Sequence, residues 1–224
     1  MRGGRLLDVG CGWGRIILPV ANNVDAIALD ISTSMLRLAT IHAKQLHLEL
    51  SAVVGDAAHL PFREETMNVL ISYLVFQHLA KTTLNQALCE TARVLKPNGT
   101  LFAYIPNKFG LDGIGSKIIH DCLNIPSYWG PAKVQYYHIG EIRRIFMNYF
   151  RTVHITARQF HLPWLVFHGR VLLPIIAIRI LKRLSDALEQ LANIYDRNPL
   201  KMLATGFAIT ADKPNRFVRS YCQP

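Results

Sequence analysis

Over the first hundred residues the apolar positions switch between two periods. Short apolar runs bounded by turn formers read as buried strands at 5–9, 25–30, 50–54, 69–72 and 100–105. Helical spacing fills the gaps. Residues 15–21 read as a short helix. Ser32 is placed to cap a helix over 33–46, with Met35, Leu36, Ala39 and Ala43 near helical spacing. Residues 82–95 form an amphipathic pattern with Leu84, Leu88, Ala92 and Leu95 on one face, and Pro97-Asn98-Gly99 reads as the turn that ends it. Strand and helix alternating at this spacing predict βαβ units. The expected class is α/β, a doubly wound parallel sheet with helices on both faces over 5–105. Beyond 105 the pattern loosens. A long excursion covers 107–138 with a helix near 114–123, and a short helix follows at 139–149. A sixth strand is expected at 151–158, an apolar and basic helical stretch at 162–194, and a last strand at 203–211. The organisation read from this is one domain over 1–224. Its core is 5–105, its elaborations are 106–150 and 162–194, and its final strand is 203–211.

Composition narrows the class. Half of the 224 residues are hydrophobic and 18% are charged, which excludes a disordered chain. Four cysteines with no C-x-x-C pair argue against a disulfide scaffold and a structural zinc site, so no metal is expected. No secretory pattern opens the chain, and the expected compartment is cytoplasmic. The net charge of +10 is uneven. Residues 1–112 hold ten Lys+Arg against nine Asp+Glu, whereas 113–224 hold fifteen against six. A basic half suits nucleic acid, an anionic membrane surface, an acidic substrate, or no specific partner at all.

The chemistry concentrates in L-D-V-G-C-G-W-G-R at 7–15. A strand ends there and glycines follow at 10, 12 and 14. A loop without Cβ atoms at the carboxyl end of a parallel strand lets a ligand approach the backbone. The spacing is G-x-G-x-G and not the dinucleotide G-x-G-x-x-G, with Arg15 where that fingerprint needs a small residue. Asp8, just ahead of the loop, is awkward beside a pyrophosphate and suits a ligand ammonium group. Asp30 ends the second strand, where a carboxylate can accept both hydroxyls of a ribose. Asp56 ends the third strand, placed to accept from an exocyclic amine such as that of adenine, and Ser72 ends the fourth. Each aspartate alone reads as a cap or turn residue. Together with the glycine loop they read as a ligand site.

The segments LLDVGCGWGR, ALDIS, VVGDAAHLPF, ISYLVFQHL and RVLKPNG, in that order, resemble the successive motifs of class I S-adenosylmethionine-dependent methyltransferases. Within that superfamily they are similar to the small-molecule branch, which includes quinone, sterol and sugar-lipid methyltransferases. The resemblance implies a seven-stranded Rossmann-like sheet with an antiparallel last strand, a helical insertion, and S-adenosylmethionine as cofactor with S-adenosylhomocysteine as product. It implies that Gly10, Cys11 and Gly12 pass under the methionine part and that Asp8 orients its amino group. Asp30 would hold the ribose, Ile31 would pack on adenine, Asp56 and Ala57 would read the adenine edge, and Ser72 would lie near the methionyl moiety. Two departures stand out. The family carries a helix-containing segment ahead of the first motif, and four residues precede Arg5 here. Three readings stand open: a fragment, a misassigned first methionine, or another lid over the cofactor. Asn68 stands where the fourth strand often opens with aspartate.

The implied reaction moves a methyl group to a small or lipid-linked acceptor, at oxygen or carbon. The cofactor supplies the reactivity and the protein the alignment. If the acceptor is a hydroxyl or phenol, a base helps, and His78 is the first candidate. Its competing reading is a packing or capping role against the next helix. His120, Tyr136, Tyr137 and His138 lie in the excursion expected to hold the acceptor. Within 162–194, Arg179, Lys182, Arg183, Asp186 and Gln190 share one helical face, and Ile176, Ile180, Leu184 and Leu191 another. The uncharged run 171–178 is far too short to span a bilayer. A lid, an interfacial helix on an anionic membrane (favoured by Trp164 and Phe167) and a dimer contact compete for this stretch. A nucleic-acid methyltransferase, a non-catalytic binding module and a nicotinamide oxidoreductase are the rival functions.

Overall fold

The computed structural model describes residues 3–107, 134–158, 175–193, 204 and 206–214. Seven strands form one sheet: β1 (Gly3–Val9), β2 (Val24–Asp30), β3 (Ser51–Val54), β4 (Met67–Tyr73), β5 (Leu95–Pro106), β6 (Phe150–Arg158) and β7 (Gly206–Pro214), in the order β3-β2-β1-β4-β5-β7-β6. The sheet is mixed, with β7 antiparallel. The described helices are α1 (Thr33–Gln45), α2 (Lys81–Val94), α3 (Ile139–Met147) and α4 (Ile175–Asn193). The chain divides into two compact units. One comprises Met1–Ala103, Arg144–His154 and Ile209–Pro224; the other comprises Tyr104–Arg143 and Ile155–Ala208.

In the first unit β1 pairs in parallel with β2 and β4, and β2 with β3. Strands buried on both faces need continuous apolar runs, and β1 and β2 supply them. Leu6, Ala26 and Ala28 point to the face that carries Leu36 and Ala43 of α1, together with Ile17 and Leu18. The alanines of β2 leave room for the helix, which buries Leu36, Ala39 and Ala43. Each leucine fully buried in this way contributes about 1.5–3 kcal/mol. Ser32 caps α1 as its position predicts, its side chain accepting from Met35 N (3.4 Å). On α2, Leu84, Leu88 and Ala92 are buried. Phe76 stacks edge-on against Phe146, with ring centroids 6.3 Å apart.

Two expectations about local structure are corrected. Residues 15–21 do not form a regular helix: only a 3₁₀ turn, Leu18–Val20, is present, with Pro19 near its start. Proline lacks the N–H that further turns would require. Second, β5 starts at Leu95 and runs through Pro97-Asn98-Gly99, where a turn was expected. Leu95 already has extended dihedrals (φ −72°, ψ 137°), and Pro97 biases the next residue, Lys96, the same way. Leu184 and Leu191, expected on one face of the helical stretch, are 55% and 49% exposed. In the second unit α4 docks by another edge. Ala192 clusters with Ala157, Ala204 and Leu188, and the Asn193 amide bonds both Ala157 N (2.9 Å) and Ala157 O (3.0 Å). Cys89 is disulfide-bonded, which the cysteine spacing did not predict. The expected helix at 114–123, His120, Trp164 and Phe167 lie outside the described residues.

Candidate active site

The register sets the site. Asp8 is level with Ala28 on β2 and Ile71 on β4, and Asp30 is level with Val54 on β3. The carboxyl ends of the four strands therefore share one edge, and the strand order reverses between β1 and β4, where open α/β sheets bind ligands. Asp8 on β1 and Ser72 on β4 flank that switch point.

The glycine loop turns at this edge with Gly10, Gly12 and Gly14 all at positive φ. At Gly10 a Cβ would collide with Val75. At Gly12 it would meet nothing within 4 Å, so this is the glycine that faces open space. Gly10 N and Cys11 N both donate to Leu29 O, at 2.7 and 3.0 Å, which locks the loop to β2. Asp30 completes the hold. Its Oδ2 accepts from Gly12 N (2.8 Å) and its Oδ1 from Ser32 N (2.8 Å). Each oxygen keeps a second lone pair for a ligand hydroxyl. Ile31, beside it, is 74% exposed. Asp56 Oδ1 accepts from Ala58 N (2.9 Å), a turn-closing bond, and Ala57 is buried next to it.

Asp8 and Ser72 are buried, and among the described residues Asp8 Oδ2 and Ser72 Oγ have no hydrogen-bond partner. Burial first, then repulsion from Asp30, pushes the Asp8 carboxyl up to about 7. Orphaned acceptors of this kind cost stability unless something fills them. A carboxylate and a hydroxyl on neighbouring strands match an ammonium group, so the residues present fit the aminoacyl end of S-adenosylmethionine.

The other candidates separate. Burial, then Asp8 and Asp30, push the Cys11 thiol up to about 12. It stays protonated and serves as a small wall residue, with Sγ 3.4 Å from Gly12 O. His78 ends the 3₁₀ turn Phe76–His78, its pKa lowered by burial, with Nε2 3.3 Å from Gln77 Nε2. In the second unit His138 accepts from Glu141 N (3.3 Å) and so caps α3, and Tyr137 is buried with no partner for its hydroxyl among the described residues. Among the described residues no group of His, Cys, Asp and Glu could hold a metal ion.

Several contributors escaped sequence reasoning. Leu74 takes a positive φ of 61° as the chain leaves β4, and Val75 then packs on Gly10. The Arg15 guanidinium lies 5.0 Å over the Tyr73 ring, which explains a large residue in that slot. The Glu90–Arg93 pair of α2 braces the loop after β3. A Glu and an Arg three apart on a helix read as an ordinary surface pair, and no local signal marks them as buried.

Comparison with known proteins follows the same outline. Residues 6–99 match the methyltransferase-domain family. The ubiquinone biosynthesis O-methyltransferase of Brucella anthropi is 32% identical over 120 residues, covering 51% of this chain and 48% of that protein. The malonyl-[acyl-carrier protein] O-methyltransferase of Methylococcus capsulatus is 34% identical over 100 residues, covering 43% and 35%. The chain thus spans half or less of the length of these curated relatives. Among solved structures, a methyltransferase from Thermotoga maritima superposes with a TM-score of 0.64 at 15% identity, over 95% of this chain and 83% of that one. One from Archaeoglobus fulgidus gives 0.59 at 19% identity, over 94% and 86%. These structural likenesses establish the fold. Residues 6–99 thus resemble a methyltransferase domain, and the chain shares the seven-stranded α/β fold of these solved structures.

Proposed function

We propose that this protein binds S-adenosylmethionine at the carboxyl ends of β1–β4 and transfers its methyl group to a small or lipid-linked acceptor. The observation that carries the reading is the pair of buried, unpartnered acceptors, Asp8 Oδ2 and Ser72 Oγ, across the switch point. Bound there, S-adenosylmethionine supplies an activated methyl group on a sulfonium. The chain's residues bind and orient. Asp8 and Ser72 take the amino group, Gly10 to Gly12 give close backbone approach, and Asp30 accepts the ribose hydroxyls on its remaining lone pairs. Ile31 covers one adenine face, and Asp56 with Ala57 reads the adenine edge. His78, neutral at pH 7, is the proposed base for a hydroxyl acceptor. The names of the relatives, O-methyltransferases of ubiquinone biosynthesis and of malonyl-acyl carrier protein, favour oxygen as the acceptor atom and a long or carrier-linked substrate.

Calorimetric titration with S-adenosylmethionine and S-adenosylhomocysteine tests the site. Stoichiometric binding by the wild type, lost in Asp30→Ala, is expected; a folded wild type that binds neither would refute the reading.

The same proposal includes peripheral contact with anionic lipid through α4. No described helix is long and apolar enough to cross a membrane. Yet α4 exposes Leu184 and Leu191 with Arg183 alongside, in the strongly basic half of the chain. Partition onto phosphatidylglycerol vesicles that does not fall in a Leu184→Ser, Leu191→Ser variant would remove this part.

A further inference from the structure

The loop from Gly55 to Thr66 carries Asp56 and Ala57, and it is fastened at both ends. At its start Gly55 N donates to Asp30 O (3.1 Å), and a Cβ on Gly55 would lie 2.9 Å from Leu29 Cδ1. In the middle His59 N donates to Asp56 O (3.0 Å), which closes a tight turn. At the far end two side chains of α2 take hold. Glu90 Oε2 accepts from Leu60 N (2.8 Å), while Arg93 donates through Nη2 to Leu60 O (3.0 Å) and through Nη1 to Phe62 O (2.8 Å). The two side chains are locked to each other by Nε to Oε1 (2.6 Å) and Nη2 to Oε2 (2.8 Å). Glu90 is only 7% exposed.

A buried ion pair is a poor source of stability, because desolvation offsets most of its attraction. This pair instead grips both polar groups of one residue, Leu60, and so fixes the direction of the loop four residues after Asp56. Binding sites need their first layer held to within about 0.5 Å by a supporting layer. We propose that Glu90 and Arg93 are positioning residues for adenine recognition: they hold Asp56 and Ala57 at the depth where the exocyclic amine is read. The inference rests on the methyl-donor reading above.

The test compares S-adenosylhomocysteine with S-inosylhomocysteine, which carries a carbonyl in place of the exocyclic amine. Wild type should prefer the adenine compound by at least about tenfold. Glu90→Gln should lose most of that preference by weakening the adenine compound alone, and Arg93→Lys should do so in part. Exchange of the Ala58 and His59 amides, measured without ligand, should speed up about tenfold in Glu90→Gln. Leu88→Val, a core change on the same helix, should lower Tm and leave both readouts alone. Wild-type preference and exchange in Glu90→Gln would overturn the proposal, as would an equal loss in Leu88→Val. Failure of both Glu90→Gln and Arg93→Lys to fold would overturn it too, making the pair part of the fold and not of recognition. If wild type binds neither nucleoside but Glu90→Gln still speeds exchange, the grip on the loop is supported and the methyl-donor reading alone falls.

Discussion

Binding at the switch point should expel a proton from Asp8. In the free protein its carboxyl titrates at about 7, raised by burial and by Asp30. A cationic group seated against Oδ2 favours the ionised form. If the complex is fully ionised, the apparent dissociation constant scales as one plus the ratio of protonated to ionised carboxyl. That factor is about 11 at pH 6, about 2 at pH 7 and about 1.1 at pH 8. Affinity should therefore rise about tenfold from pH 6 to pH 8, with about half a proton released per ligand at pH 7. S-adenosylhomocysteine is the better probe, because its amine has no sulfonium charge nearby to lower its own pKa. Calorimetry at three pH values, in two buffers of different protonation enthalpy, reads both quantities. Asp8→Asn should bind more weakly at pH 8 and lose the pH dependence. Proton uptake by wild type, or the same slope in Asp8→Asn, would refute the reasoning.

The sign for stability runs the opposite way. The folded carboxyl titrates above its ordinary 3.8. The folded chain therefore holds the extra proton, and this contribution is complete at low pH and lost as pH rises toward about 7.

Other expectations concern single positions. Gly10→Ala places a Cβ at φ +73° against Val75. It should cost about 2 kcal/mol or more in urea unfolding, with partial recovery in Gly10→Ala, Val75→Ala. Phe76→Ala empties a fully buried site beside Phe146 and should cost about 3–5 kcal/mol. Cys11 should resist iodoacetamide in native protein at pH 8, since its thiol is buried and titrates near 12; mass-spectrometric mapping of an alkylated native Cys11 would contradict this.

The parts legible in the sequence are those whose physics is local. A strand buried on both faces must be an apolar run, and β1, β2 and β4 lie within a residue or two of where the runs put them. A loop that turns at positive φ must use glycine, so Gly10, Gly12 and Gly14 announce themselves. Asp30 was legible as a strand-end carboxylate, but its grip on Gly12 N was not, because that contact spans eighteen residues and depends on register. Glu90 and Arg93 were illegible for the same reason: their partners, Leu60 and Phe62, are some thirty residues away. Leu184 and Leu191 were legible as sharing a helical face, but periodicity does not say whether anything covers it.

The two carboxylates at the edge are a local conflict that the rest of the fold does not relieve. Asp8 is buried, has an oxygen with no partner among the described residues, and is repelled by Asp30. An asparagine or serine at position 8 would carry no such repulsion. Asp30 is needed by the loop itself, through Gly12 N and Ser32 N, so the charge that disturbs Asp8 cannot be removed without undoing the turn. Sites that break the rules of burial while every neighbouring layer obeys them mark function. On the function proposed above, the cation that resolves the conflict is the amino group of the bound methyl donor.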